Sequence, residues 1–393
     1  MNQKLFLLLI TLLFQACSFT SSTDKERHLK DFEKILDDVT QRSIDYLEQV
    51  EIDSTQIPRS IKKNGLPLGT TSKSWTSGFY PGLLWQLYAV SKEEELQEAA
   101  SNWMQFVKKE KDDRTTHDLG FKVYCSFGNA YKIMPNEQYK QVIVEAAETL
   151  SQRYNPVVGS IRSWDFNKET WEFPVIIDNM MNLELLFEAS KLSGDTSFAH
   201  IAYTHAKTTL KNHIREDFSS YHVVDYDTLT GKVNENYTHQ GYSRESSWAR
   251  GQAWNLYGFA MTYRQTRDEA FLQQAKRIAT FIFEHPNLPK HGIPFWDFNA
   301  PKIPNEPLDA SAAAVIACGL LILCEEDAAL KEKYIGQVDK ILQTLSSDNF
   351  KTNVPPFLLN HSVGSVPGDF EIDVPLIYAD YYYVEALVKR VQI

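Results

Sequence analysis

Apolar positions recur at helical spacing in segment after segment of this chain, and few runs alternate in the manner of a strand. Twelve helices are predicted, near residues 27–50, 76–91, 93–109, 118–134, 136–154, 178–193, 195–213, 247–266, 268–285, 308–323, 328–346 and 374–391. The odd-numbered ones are amphipathic. In one, Phe271, Ala275, Ile278 and Ile282 form a stripe opposite Gln273, Lys276 and Arg277, as expected of a helix with one wet face. The even-numbered ones, such as Leu308 to Cys324 and Ile377 to Leu387, are apolar almost all round, as expected of helices buried on both sides. Two concentric layers follow. Connections after even helices are tiny, as at Gly194 and Arg267, whereas those before even helices are long, at 155–177, 214–246, 286–307 and 347–373. Short links make antiparallel hairpins. Six hairpins in a ring predict an all-α chain, one (α/α)6 barrel, with every long loop on the face where the inner helices begin. Loops on a rigid scaffold are where function concentrates.

Length and composition agree with one large helical domain: 393 residues, 43% hydrophobic, 12% aromatic, 23% charged. That profile excludes disorder and low complexity. A net charge of −11 argues against a broad surface for nucleic-acid phosphates, so no nucleic-acid partner is expected. The first stretch is read apart from the fold. Lys4, the apolar run Leu5 to Phe14 and then Gln15-Ala16-Cys17 make residues 1–16 a secretory signal, with Cys17 as a bacterial lipid acceptor and 17–26 as a polar tether. The barrel would occupy 27–393, on a lipoprotein of the bacterial cell envelope, periplasmic or outer-membrane, that meets the membrane through its anchor only. Cys125, Cys318 and Cys324 lie in helical patterns and imply no disulfide framework. With no CxxC, HExxH or Asp-rich calcium loop, no metal and no cofactor is expected. Nothing in the sequence speaks to oligomeric state.

The starts of the inner helices carry the candidate chemistry. Asp118 and Asp178 open consecutive inner helices and would project into one cavity as a carboxylate pair. Asp is also a preferred N-cap, which would explain either one alone. Trp75, Trp164, Trp171, Trp248 and Trp254 sit in or beside the long loops, where flat aromatic faces suit the C–H patches of sugar rings. Arg250 and Trp254 share a helix face at i and i+4, and Arg250 could pair with a carboxylate. His222 and Gln240 come from the loop before that helix.

At these residues the chain resembles the unsaturated glucuronyl hydrolases of glycoside hydrolase family 88. The matching elements are SWTSGFYPG around Trp75, HDLGF around Asp118, SWDF around Trp164, DNMMNLELLF around Asp178, His222, Gln240, RGQAWNLYGF from Arg250, the Leu308-Asp309-Ala310-Ser311 stretch and ADYYYVEAL near the end. The resemblance implies an (α/α)6 barrel with Asp178 as general acid and base and Asp118 as the second essential carboxylate. Trp75, Trp164, His222, Gln240, Arg250 and Trp254 would shape the sugar site. The implied substrate is an unsaturated uronate-containing oligosaccharide made by a polysaccharide lyase, and the implied reaction is hydration of its C4=C5 vinyl ether. Members selective for sulfated glycosaminoglycan disaccharides carry Ser-x-x-Ser-x-Lys in the last long loop. Here Ser362 and Ser365 stand in place but Pro367 replaces the Lys, so sulfate binding should be weaker or differently placed, with His239 as the next candidate. Two alternatives remain at this stage: a related unsaturated rhamnogalacturonyl hydrolase acting on pectin fragments, and a lipid-anchored glycan-binding protein without catalysis.

Overall fold

The computed structural model describes residues 27–62 and 64–393. The signal segment, Cys17 and the tether lie outside the described residues. Among those residues the chain forms twelve helices. They are α1 (27–47), α2 (Phe79–Ser91), α3 (Glu94–Val107), α4 (a π-wound Gly120–Gly128 continuing as Asn129–Ile133) and α5 (Glu137–Ser151). Next come α6 (Asn179–Ser193), α7 (Thr196–Asn212), α8 (Ala249–Thr266) and α9 (Glu269–Glu284). The last are α10 (Ala310–Glu326), α11 (Ala328–Leu345) and α12 (Ile377–Gln392).

Even-numbered helices form the inner ring. Each packs on both inner neighbours, and α12 returns to α2, so the ring closes as an (α/α)6 barrel. The outer helix of each pair lies against its inner partner: α3 on α2, α5 on α4, α7 on α6, α9 on α8 and α11 on α10. The sixth pair joins the two ends of the chain. Phe32, Leu36 and Val39 of α1 belong to the same core as α12, and the Arg390 guanidinium sits over the Phe32 ring at 5.9 Å. Tight links end α2, α6 and α8 in the left-handed conformation at Lys92, Gly194 and Arg267. That geometry reverses the chain within a residue or two.

The long connections are less irregular than the sequence pattern suggests. They hold nine short strands: β1 (Ile57–Ile61) with β2 (Pro67–Thr70), β3 (Tyr154–Asn155) with β4 (Ser160–Ile161), the sheet β5–β6–β7 (Pro174–Ile176, Val223–Tyr226, Val233–Tyr237), and β8 (Ser362–Ser365) with β9 (Phe370–Val374). All pair antiparallel. These pieces stiffen one mouth of the barrel. Close packing there depends on Gly78 and Gly120. A Cβ on Gly78 would lie 2.0 Å from the Lys122 carbonyl, and one on Gly120 would lie 2.6 Å from Asn182 Cα. Without side chains at these points, α2, α4 and α6 approach closely enough to bring their first turns around one cleft. Among the described residues no helix is long and apolar enough to cross a membrane, and Cys125, Cys318 and Cys324 are free.

Candidate active site

The cleft at this mouth has a volume of about 180 Å³. Trp75, Phe121, Trp164 and Phe166 wall it, and His117, Asp118, Asp178, His239, Gln240 and Arg250 supply its polar groups. A larger cavity, about 340 Å³, opens at the opposite mouth. Its carboxylates are already matched, Glu184 with Lys132 at 3.6 Å and Glu385 with Lys389 at 3.1 Å, and the candidate residues of the sequence do not line it.

Asp178 stands at the N-cap position of α6 but makes no capping hydrogen bond, and its Oδ2 has no partner among the described residues. Capping therefore does not account for it. Asp309 at the start of α10 is the contrast, with Oδ1 accepting from the backbone of Ser311 and Ala312. Burial pushes the Asp178 carboxyl up to about 6, with the like charge of Asp118 adding to the rise and the His117 ring and Arg250 opposing it. A carboxyl in this range can both give and take a proton near neutral pH.

Asp118 is held the other way. Burial would raise its carboxyl, but His117 Nε2 lies 3.2 Å from Oδ1 and Thr116 Oγ1 donates to Oδ2 at 2.6 Å. These contacts, with the charge of Lys122, keep it below the ordinary carboxylate range. The loop that carries it is pinned. His117 N donates to the Ser163 carbonyl at 3.1 Å, and the buried Lys122 ammonium reaches Asp113 at 2.8 Å and Glu110 at 3.2 Å.

His222, on β6's leading edge, has its Nδ1 fixed as an acceptor by the backbone N–H groups of His239 (3.0 Å) and Gln240 (3.1 Å). The ring proton of the neutral form then sits on Nε2, 3.8 Å from Asp178 Oδ2. Burial drives the imidazole well below the usual histidine range, so it stays neutral. Asp178 Oδ2 and His222 Nε2 both lack hydrogen-bond partners, and the gap between them suits a bridging polar atom. Trp248 packs on the His222 ring at 4.6 Å, and the Arg250 guanidinium lies 4.6 Å over Trp248.

Arg250 is almost wholly buried and is committed to the protein. It reaches Asp309 Oδ2 at 3.2 Å and donates to the Val363 carbonyl and, at 2.8 Å, to the Gly364 carbonyl. Gln240 Nε2 donates to the same Gly364 oxygen at 3.1 Å. The β8–β9 hairpin thus meets the cleft through backbone carbonyls. Ser362 and Ser365 are buried, at 0% and 3% exposure, and Ser365 Oγ accepts from Gly368 N inside the hairpin. The open-loop placement expected for these two hydroxyls is replaced by a strand whose side chains are covered on both faces. Trp254 also lies deeper than its shared face with Arg250 suggests. It is fully buried one turn into the barrel, against Phe121 and Tyr382. Trp171, by contrast, backs Trp164 at 5.2 Å.

Four residues of this site escaped the sequence reading as individuals. His117 and Phe121 flank Asp118, Phe166 stacks on Trp164 at 4.8 Å, and Tyr378 at the start of α12 packs on Trp75 at 4.9 Å with its hydroxyl unpaired. The usable signal for Tyr378 was positional, since it opens an inner helix as Asp118 and Asp178 do.

Comparison with known proteins agrees with this geometry. Residues 35–389 match Glycosyl Hydrolase Family 88. The chain belongs to that family. It is 50% identical over 323 residues to an unsaturated glucuronyl hydrolase of Formosa agariphila, covering 81% of this chain and 80% of that one. An unsaturated chondroitin disaccharide hydrolase of Streptococcus pyogenes serotype M1 is 31% identical over 382 residues, 93% and 94% of the two chains. A crystal structure of an unsaturated glucuronyl hydrolase specific for heparin superposes with a TM-score of 0.88 at 44% identity, covering 92% of this chain and 97% of that one.

Proposed function

We propose that this family 88 enzyme is an unsaturated glucuronyl hydrolase that removes the C4=C5-unsaturated uronate from the non-reducing end of lyase-generated glycosaminoglycan fragments. The observation that carries the reading is a carboxyl only 13% exposed, Asp178, that opens an inner helix without capping it and titrates near 6 beside the ionised Asp118. Protonated Asp178 delivers its proton to C4, and the electron pair of the double bond forms the new C–H bond. Positive charge then develops at C5 and the ring oxygen, where the Asp118 carboxylate stabilises it. Water attacks C5 and returns a proton to Asp178, with His222 Nε2–H positioned to hold its oxygen. The C5 hemiketal opens to a ketone, and C1, now a hemiacetal, releases the neighbouring sugar. Trp75 and Trp164 give the unsaturated ring its flat walls, while Gln240, Arg250 and the deeper Trp254 hold the cleft's shape.

Asp178→Asn keeps the side chain's shape and removes the acid. Loss of the conjugated double bond's ultraviolet absorbance should fall by at least about 10³-fold, in the range of general acid–base contributions, while the disaccharide still binds. In heavy water the wild-type product should carry one deuterium at C4. Wild-type turnover by the variant, or no deuterium there, overturns the assignment.

Disaccharides of the chondroitin, hyaluronan or heparin type are the proposed substrates. The relatives that act on chondroitin disaccharides and on heparin support two of the three, and the buried Ser362 and Ser365 with Pro367 support a modest dependence on sulfate in the adjoining sugar. We also propose that Cys17 carries a lipid and holds the barrel at the bacterial envelope, on the strength of the leader-like residues 1–16. Cys17→Ala should move the expressed protein from membrane to soluble fractions. Unchanged partitioning counts against the anchor.

A further inference from the structure

Beside the cleft lies a second depression, about 430 Å³, that the reaction above does not use. The two share their walls. The loop before α4 sends His117 and Asp118 into the cleft but Arg114 into the neighbour, and residues 162–166 send Trp164 and Phe166 into the cleft but Arg162 and Asp165 into the neighbour. The partition is one loop thick. On its far side the guanidiniums of Arg114, Arg153 and Arg162 converge, in a protein whose net charge is −11.

The acids present do not balance that charge. Asp165 is shared by Arg153 at 2.8 Å and Arg162 at 3.3 Å, and Lys168 adds to its positive surroundings. Glu172, at the rim, is occupied by the backbone N–H and hydroxyl of Thr228. Arg153 has a side chain only 6% exposed, locked by Asp165 and by the carbonyls of Arg114 and Arg162, so it is a fixed floor. Arg114 is exposed, and among the described residues its guanidinium makes no hydrogen bond or ion pair, while Arg162 Nε is turned inward, 3.3 Å from Asp165. A preset floor with the free Arg114 guanidinium above it is suited to a planar or tetrahedral oxyanion.

We propose that this pocket is a distal subsite, taking an anionic group, sulfate ester or uronate carboxylate, on the part of the glycan beyond the sugar next to the scissile bond. The exposed Phe166 of the cleft adjoins Asp165 of the pocket, which places the two openings side by side. The proposal rests on the hydrolase reading and extends it from disaccharides to longer, charged fragments. Arg114→Ala, and Arg114→Ala with Arg162→Gln, are to be compared with the wild type on three lyase products: an unsaturated disaccharide, an unsulfated hyaluronan tetrasaccharide and a sulfated chondroitin tetrasaccharide. The expected result is a fall in kcat/KM of fivefold or more on a tetrasaccharide with disaccharide turnover unchanged. Loss on both tetrasaccharides assigns the pocket to the carboxylate, and loss on the sulfated one alone assigns it to sulfate. An equal fall on all three substrates, or no fall on any, overturns the subsite. Wild-type failure on the disaccharide would instead overturn the hydrolase reading.

Discussion

Asp118 and Asp178 are the same residue type at the same place, the entry to an inner helix, and their neighbours set them to opposite tasks. His117 and Thr116 grip one, and nothing grips the free oxygen of the other. Since Asp178 must carry its proton when it meets substrate, kcat/KM should fall about tenfold per pH unit above about 6. Asp118→Asn removes a like charge, so in the residual activity this limb should move to lower pH; a limb that stays put would mean that Asp178 does not feel Asp118. The same shift has a stability side. A carboxyl at about 6 in the folded chain and 3.8 in the unfolded one holds an extra proton between those values. Its favourable contribution is complete below about pH 4 and disappears as pH rises through 6. Ionised Asp178 then costs about 3 kcal/mol relative to the unfolded chain. Asp178→Asn should therefore melt higher than wild type at pH 7 and show no such advantage at pH 4. Equal melting differences at both pH values would contradict the buried-carboxyl account.

At the scale of elements, one side chain joins three. Asp309 caps α10, accepts from Arg250 of α8 and takes the Val363 N–H of β8 at 3.4 Å. Asp309→Asn keeps a capping oxygen but leaves the buried guanidinium without its counter-charge. A loss of about 3 kcal/mol in unfolding free energy is expected, with KM rising more than kcat falls as the hairpin loosens from the cleft. Unfolding curves and steady-state kinetics on the same preparation check both halves. The helices themselves were legible, because twelve stretches with a 3.6-residue period leave little else to build, and inner and outer could be told apart by whether a polar face existed. The hairpins were not. Strands of two to five residues, such as Tyr154–Asn155 or Ser362–Ser365, are too short to show a period. The π-wound start of α4 left no sign either, since GFKVYCSFG fits a buried α-helix equally well. Within the site, Asp118, Asp178, Trp75 and Trp164 were readable from position and type. The engagement of Arg250 with backbone carbonyls depends on a hairpin more than a hundred residues away.

The whole molecule is a closed ring whose seam lies between its first and last helices, α1 and α12. Five of the six pairs are neighbours in sequence and can form as local hairpins, while the sixth must wait for the end of the chain. The wall of the cleft waits too, because Val363, Gly364 and Tyr378 belong to the final thirty-odd residues. During synthesis, then, a nascent chain holds five hairpins in an open arc, with the apolar inner helices α2 and α10 each lacking a neighbour. Such an arc exposes adhesive surface for as long as the last segment takes to emerge, which makes it a natural client for a holding chaperone. It also means that catalytic competence arrives all at once, with the closing helix, and that a ribosome stalled before α12 leaves behind an inactive, aggregation-prone fragment rather than a weaker enzyme.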